Sequence, residues 1–483
     1  MSAPAAERAG TEQGSSRVVV IPTARPTFAV DAAQERVDAA RALLTRLGAE
    51  VTGPTTLVMT PQDVEEAATY LGDDSALVVN VCASFSDANP ALRLYTDLGR
   101  PVLLWSFREP GPVGDRLWLN SMCGANLYGH ALVRAGAEVR LVYGDPHEPA
   151  VEQVLRRALA GELPSAPALP GERRPRGDRG TAQAALDALR GSRIGVIGDA
   201  PPGFTPSEFD AGLLTTLFGL TVDAITVESM FERVRAVPAR TQADEVAEAR
   251  SRQASLQTLD PDVVGRHAAV TSALRDWSAT DALSAVAVRC WPEFPTEMGV
   301  CPCSSLSRLA DEGVATQCER DVYGAVTMLL LEALGSGTTY LVDTVQLEAD
   351  RNVVTLWHCG SAATELAADP SEATQALHCN RRIGVAGNFA LRPGRVVMAR
   401  LTEDVPGTDG PGLRLLIAAG ESLPAVNRFQ GNTAEVLLDA DATTFVHGLV
   451  TGGFPHHTVL AWTDVRPQLR AAADILGIPV VEW

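Results

Sequence analysis

No apolar run in this 483-residue chain reaches the roughly 18 residues needed to cross a bilayer. A membrane span is therefore not expected. Positive charge is also short: 40 Lys and Arg stand against 59 Asp and Glu, a formal net charge of −19. Phosphate binding needs a basic face, so a nucleic-acid partner is not expected either. The opening stretch MSAPAAERAGTEQGSS has no basic start followed by an apolar core. It reads as a disordered tail over 1–16, not as a secretory signal. Regular cysteine spacing is missing too. The eight cysteines (Cys82, Cys123, Cys290, Cys301, Cys303, Cys318, Cys359 and Cys379) are scattered, which favours reduced thiols and a cytoplasmic protein over a disulfide framework. Cys301 and Cys303 with Cys318 lack the second matched pair of a structural zinc site and read as buried thiols. GVIGDAPPG lacks the G-x-G-x-x-G spacing and puts two prolines where the helix should begin, which argues against dinucleotide binding.

What is present is regular alternation. A length of 483 residues suggests about three domains. From Arg17, short β-branched runs (RVVVIP, SALVVNVC, RPVLLWS, AEVRLVYG) alternate with helical segments, among them DAAQERVDAARALLTRLG with its terminal glycine at Gly48. Continuously apolar strands of this kind belong to parallel sheets buried on both faces. The first α/β domain is placed at 17–165. A Pro-, Gly- and charge-rich stretch beginning at 161 reads as a linker, taken as 166–190. A second Rossmann-like α/β domain follows over 191–350, from SRIGVIGD to TTYLVDTV. Beyond Arg351, strands such as NVVTLWH, GRVVMARL, LRLLIAAG and TAEVLLD are separated by Gly, Pro and Asp turns. That texture predicts a mainly-β, barrel-like domain over 351–483.

One residue asks for an explanation. Asp343 lies inside the apolar strand TTYLVDTV, where a desolvated carboxylate without a partner costs several kcal/mol. Glu319 lies just upstream, with Asp321, at the start of an apolar helix. In parallel α/β sheets ligand groups gather beyond the strands' carboxyl ends, and a helix N-terminus favours an ionised carboxylate. Two carboxylates brought together raise each other's pKa unless a cation lies between them. A divalent metal is the natural partner for Asp343, although hydrogen bonds to backbone amides are an alternative. Three of the eight histidines add to this: His358 in LWHCG, and His456 and His457 in GGFPHHTVLAW. Neighbours on a strand point to opposite faces, so only one of that pair is expected in a given site.

Taken together, RCWPEF, GVCPCSSLSRLADEG, CERDVYGAVTMLLLEAL, LVDTV, HCG and PHHTVLAW resemble, in order and spacing, the L-fucose and L-arabinose isomerase superfamily, with the fucose branch nearer. The resemblance implies a metal held by a Glu opening a helix, an acidic residue on the next strand and a late histidine: Glu319, Asp343 and His457. It implies His358 as a further site residue and possible ligand, and His456 as a substrate contact. Mn²⁺, or Mg²⁺ or Co²⁺, is the implied cofactor. Trp291, Asn388 and Arg25 are further candidates for contacting the sugar. Arg25 falls in PTARPTF, which is similar to a segment that reaches a neighbouring subunit in family oligomers. A homo-oligomer, trimer or hexamer, is implied with it.

The implied chemistry suits these groups. Aldose–ketose isomerisation moves a proton between C1 and C2 through an enediol, so it needs a base and an acid, roles open to Glu319 and Asp343. Polarising the carbonyl and hydroxyl oxygens assists proton removal. Two carboxylates and an imidazole suit Mn²⁺ or Mg²⁺ better than zinc. Two other readings stay open: a non-catalytic sugar-binding or regulatory protein, and an isomerase of a modified, anionic hexose. The chain is shorter than typical fucose isomerases, which counts against L-fucose itself.

Overall fold

The computed structural model describes residues 16–172, 176–408 and 410–483. The tail expected over 1–16 lies outside them except for its last residue. Five strands make a parallel sheet: β1 (Arg17–Thr23), β2 (Glu50–Thr52), β3 (Leu77–Cys82), β4 (Val102–Ser106) and β5 (Val139–Tyr143). Their order is β2-β1-β3-β4-β5, the flavodoxin-like arrangement of doubly wound folds. Along β1, Val19 and Ile21 enter one hydrophobic core while Val18 and Val20 enter another. Both faces are covered, which is why the strand reads as unbroken apolar sequence.

A second parallel sheet contains β6 (Arg193–Ile197), β7 (Thr221–Ile225), β8 (Ala285–Val288) and β9 (Ala315–Gln317), in the order β7-β6-β8-β9. The stretch expected to be a linker ends in a helix, Arg179–Leu189. Asp178 caps it by accepting from the Thr181 amide, and Ala182, Ala185, Leu186 and Leu189 bury its apolar side.

The third sheet is mixed and mainly antiparallel. It comprises β10 (Thr339–Glu348), β11 (Val353–His358), β12 (Thr374–Leu377), β13 (Gly384–Ala390), β14 (Gly394–Glu403), β15 (Leu413–Leu423), β16 (Asn432–Leu438), β17 (His457–Ala461) and β18 (Val480–Glu482). Its order is β12-β13-β16-β11-β10-β17-β14-β15-β18, and β16 also pairs with β15. Six strands, β16-β11-β10-β17-β14-β15, therefore close on themselves, as the barrel-like expectation requires. One assignment from sequence is corrected here. β10, which carries Asp343, does not belong to the second parallel sheet; it pairs antiparallel with β11 and β17 in the barrel. Its apolar run marks burial on both faces, and a barrel strand covered by helices meets that condition as well as a parallel strand does.

Candidate active site

β9 ends at Gln317 and the helix Val322–Ala333 begins after a single 3₁₀ turn, Cys318–Arg320. Glu319 and Arg320 have φ of 58° and 60°. Two successive non-glycine residues in left-handed backbone cost about 1–3 kcal/mol each and need outside support. Arg320 supplies part of it: its guanidinium donates to the Gly198 carbonyl at 2.6 Å and the Ser207 carbonyl at 2.8 Å. The Ser207 hydroxyl donates to the Glu319 carbonyl. The turn directs Glu319 into a cleft and Asp321 into the interior. There Asp321 caps the helix, accepting from the Gly324 amide at 2.8 Å. A Cβ on Gly324 would come within 2.9 Å of the Asp321 carboxyl carbon, so this cap needs glycine at that position.

The barrel supplies the other half. The register sets Asp343 on β10 opposite His457 on β17 and opposite Trp357 on β11. Directly opposed residues of antiparallel strands are close neighbours on one face. His457 Nε2 accordingly lies 3.0 Å from Glu319 Oε2 and 3.5 Å from Asp343 Oδ1, and its Nδ1 lies 2.8 Å from Asp321 Oδ2. Arg400 on β14 pairs with Asp321, and both are almost fully buried. His358, the last residue of β11, stands edge-on to His457 with ring centroids 5.6 Å apart.

Both imidazoles of the His456–His457 pair bring a nitrogen within 4.8 Å of the Asp343 carboxylate, which corrects the expectation of one. β17 begins at His457, so His456 precedes the strand and escapes its alternation. Their ring centroids are 4.2 Å apart, and His456 packs edge-on against Phe204 and Phe85.

The charges form a coupled set. Burial alone would raise the Glu319 pKa, but the His457 hydrogen bond and charge hold it down to about 2. Asp321 is held low despite burial by Arg400 and by His457. For Asp343 burial wins: its pKa is pushed up to about 8, His457 opposing and the Glu319 charge adding to the rise. Burial would lower His457, yet hydrogen bonds to Asp321 and Glu319, with the Asp343 charge, raise it to about 10. Burial lowers His358 to about 4. The environment thus separates two carboxylates that face one imidazole.

These residues fit a divalent cation. Glu319, His358 and His457 bring ligand atoms within 4.8 Å of one another, and so do Asp343, His456 and His457. Asp343 Oδ1 and His456 Nδ1 are buried without a hydrogen-bond partner in the structure. Carboxylate oxygens and imidazole nitrogens at this reach are ordinary ligands of divalent metal ions. The Asp321–His457 hydrogen bond would fix the ring's orientation, as carboxylates do behind metal-bound histidines.

The cleft encloses about 740 Å³ counting its open mouth. Arg25, Trp291, Glu319, Asp343, His358 and His456 all line it. Trp291 Nε1–H donates to Glu319 Oε1 at 2.9 Å. Arg25 reaches it from within the same chain, after β1. Asn388 is not among the lining residues; on β13 its Oδ1 accepts from Asn427 Nδ2 at 2.8 Å and the Gly431 amide at 3.3 Å. Sequence reading missed the parts played by Asp321 and Arg400. For Asp321 a signal was present in CERD, two residues after Glu319. Arg400 carried none.

No protein-family model matches the chain. Several curated proteins do, over nearly their whole length. The sulfoquinovose isomerase of Alkalicoccus urumqiensis is 32% identical over 466 residues, 96% of this chain and 99% of that protein. The sulfoquinovose isomerase of Priestia aryabhattai is 30% identical over 469 residues, 96% and 98% of the two chains. That of Clostridium sp. (strain MSTE9) is 30% identical over 466 residues, with the same coverage. Identity of this extent, across the sheets and the barrel alike, supports an enzyme over a non-catalytic sugar-binding protein: the chain is an isomerase and belongs to the sulfoquinovose isomerase family.

Proposed function

We propose that the protein is a divalent-metal-dependent aldose–ketose isomerase acting on an anionic sugar, with sulfoquinovose, a 6-deoxy-6-sulfo-aldohexose, as its substrate and the corresponding 2-ketose as product. The observation that carries this reading is that His457 Nε2 lies 3.0 Å from Glu319 Oε2 and 3.5 Å from Asp343 Oδ1, so that one imidazole is shared by both carboxylates. The names of the relatives support the substrate. The quoted motifs support kinship with the L-fucose and L-arabinose isomerases, and with it a soluble homo-oligomer. They do not favour L-fucose over an anionic hexose, and the relatives favour the latter.

Glu319, Asp343 and His457 would hold the cation, with His358 beside them. The chemistry a bound cation supplies is polarisation of the sugar's C1 and C2 oxygens, which acidifies the proton between them. The chain's own groups do the proton work. One carboxylate of the Glu319–Asp343 pair would remove the proton from C2 of the aldose, leaving an enediolate; a proton then passes from O2 to O1 and one returns at C1, which restores the carboxylate. Asp321 and Arg400 keep the His457 ring oriented throughout. Phe28 and Phe85 shield one side of the cleft from water. His456 and Arg25 would contact the sugar.

The test is direct. Purified protein dialysed against a chelator should leave sulfoquinovose unchanged, and added Mn²⁺ should restore ketose formation, followed by proton NMR. Equal turnover before and after chelation would rule out the metal-dependent route.

A further inference from the structure

Arg381 takes no part in the proton transfers above. It sits in the turn joining β12 to β13, residues 378–383. The turn is closed by two backbone bonds, from the His378 amide to the Ile383 carbonyl and from the Arg382 amide to the His378 carbonyl, each 2.9 Å. His378 Nδ1 accepts from the amides of both Asn380 and Arg381 at 3.2 Å. These bonds hold the turn over the cleft, which His378, Asn380 and Arg381 line.

The Arg381 guanidinium carbon lies 5.7 Å from the centroid of the Trp291 ring, and that of Arg25 lies 4.6 Å from the same ring. The indole N–H of Trp291 bonds Glu319 Oε1. One aromatic side chain therefore borders the proton-transfer carboxylate at its edge and two cations at its face. A sugar with C1 and C2 at Glu319 and Asp343 would share one cleft with this ring and both arginines.

Among the described residues, neither guanidinium has a hydrogen-bond or ion-pair partner, in a chain with 59 acidic and 40 basic residues. Burial first, and then the charge of Arg381, lowers the Arg25 pKa, with the more distant charges of Asp87 and Glu319 opposing. Two like charges held in one cleft repel, and the repulsion is relieved by an anion between them. A guanidinium is suited to a tetrahedral oxyanion because its planar fork presents two parallel donors. Stacking on Trp291 leaves the edges of both guanidiniums free for such bonds.

We propose that Arg381, together with Arg25, binds the anionic group at the far end of the sugar, the C6 sulfonate, and so selects an anionic aldose over its neutral counterpart. This rests on the reading of the cleft as an aldose–ketose isomerase site. Arg381 is the specificity residue, and His378 is a positioning residue that sets its turn.

The experiment compares the Mn²⁺-loaded wild type with Arg381→Met and Arg381→Lys, using sulfoquinovose and 6-deoxy-D-glucose as substrates. A calorimetric titration with the open-chain alditol of sulfoquinovose, which cannot isomerise, reads binding apart from turnover. For Arg381→Met the KM for sulfoquinovose and the alditol Kd should each rise about 10- to 100-fold, the loss typical of one charge-assisted contact. Its kcat should change far less, and its preference for the sulfonated sugar should narrow. Arg381→Lys, which keeps the charge, should recover part of the affinity, an outcome that general unfolding would not give. An unchanged KM and alditol Kd, or an equal loss for both sugars with no lysine rescue, overturns the role of Arg381 while the isomerase reading stands. A wild type that isomerises no sulfoquinovose overturns that reading first and the proposal with it.

Discussion

At the scale of single residues, the site is governed by where protons sit. In the metal-free protein Asp343 holds its proton up to about pH 8, against 3.8 for an ordinary aspartate, and His457 holds its own up to about 10, against 6.5. Both groups bind protons in the folded state that the unfolded chain has already released. Stability therefore falls as pH rises, through 4 to 8 for Asp343 and through 6.5 to 10 for His457. A bound cation needs both groups deprotonated, so its stabilising effect should grow over the same range. The melting temperature of chelated protein should drop between pH 7 and pH 9 more steeply than that of Mn²⁺-loaded protein, and the gap between them should widen. A gap that closes as pH rises would mean that these two residues do not share a metal. Of these groups, Glu319, Asp343, His358 and His457 were legible as residue types in short motifs. Arg381 was not, because an arginine pair in a polar turn looks like any solvated surface until the chain folds it over Trp291.

At the scale of elements, a buried chain of charge fastens the barrel to the second parallel sheet. Arg400 on β14 pairs with Asp321, which caps the helix Val322–Ala333 and holds His457 on β17. The partners of the first link are 79 residues apart in sequence, so no local pattern announces them. Removing the cation alone would leave Asp321 buried with half its compensation. Arg400→Met should therefore destabilise the protein by about 3–5 kcal/mol in urea denaturation. A loss under about 1 kcal/mol would show that the link is not what holds the two units at this face. The placing of β10 carries the same lesson about legibility. Its burial was plain from TTYLVDTV, but apolar sequence specifies that a strand is covered, not which strands it bonds. Strand alternation does not separate the HH pair for a related reason: the period-two rule holds inside a strand, and the strand begins between the two residues.

At the scale of the whole molecule, the cleft lies where three units meet. The first sheet contributes Arg25 and Phe28 from the connection after β1, the second contributes Trp291 and Glu319 from beyond β8 and β9, and the barrel contributes Asp343, His358, His456 and Arg381. No one unit contains both Glu319 and Asp343, or both Arg25 and Arg381. The α/β alternation and the β-rich end were readable in advance because strand and helix periodicities are local. The meeting of the three units was not, since it depends on side chains brought together from Arg25 to His457. The central claim is that this junction moves a proton between C1 and C2 of an anionic aldose by means of Glu319 and Asp343. Its most direct test is proton NMR of sulfoquinovose with the Mn²⁺-loaded protein in D₂O, run beside Asp343→Asn. Ketose carrying deuterium at C1 with wild type, and a rate at least about 100-fold lower with Asp343→Asn, is the result predicted. Full turnover by Asp343→Asn would contradict the account.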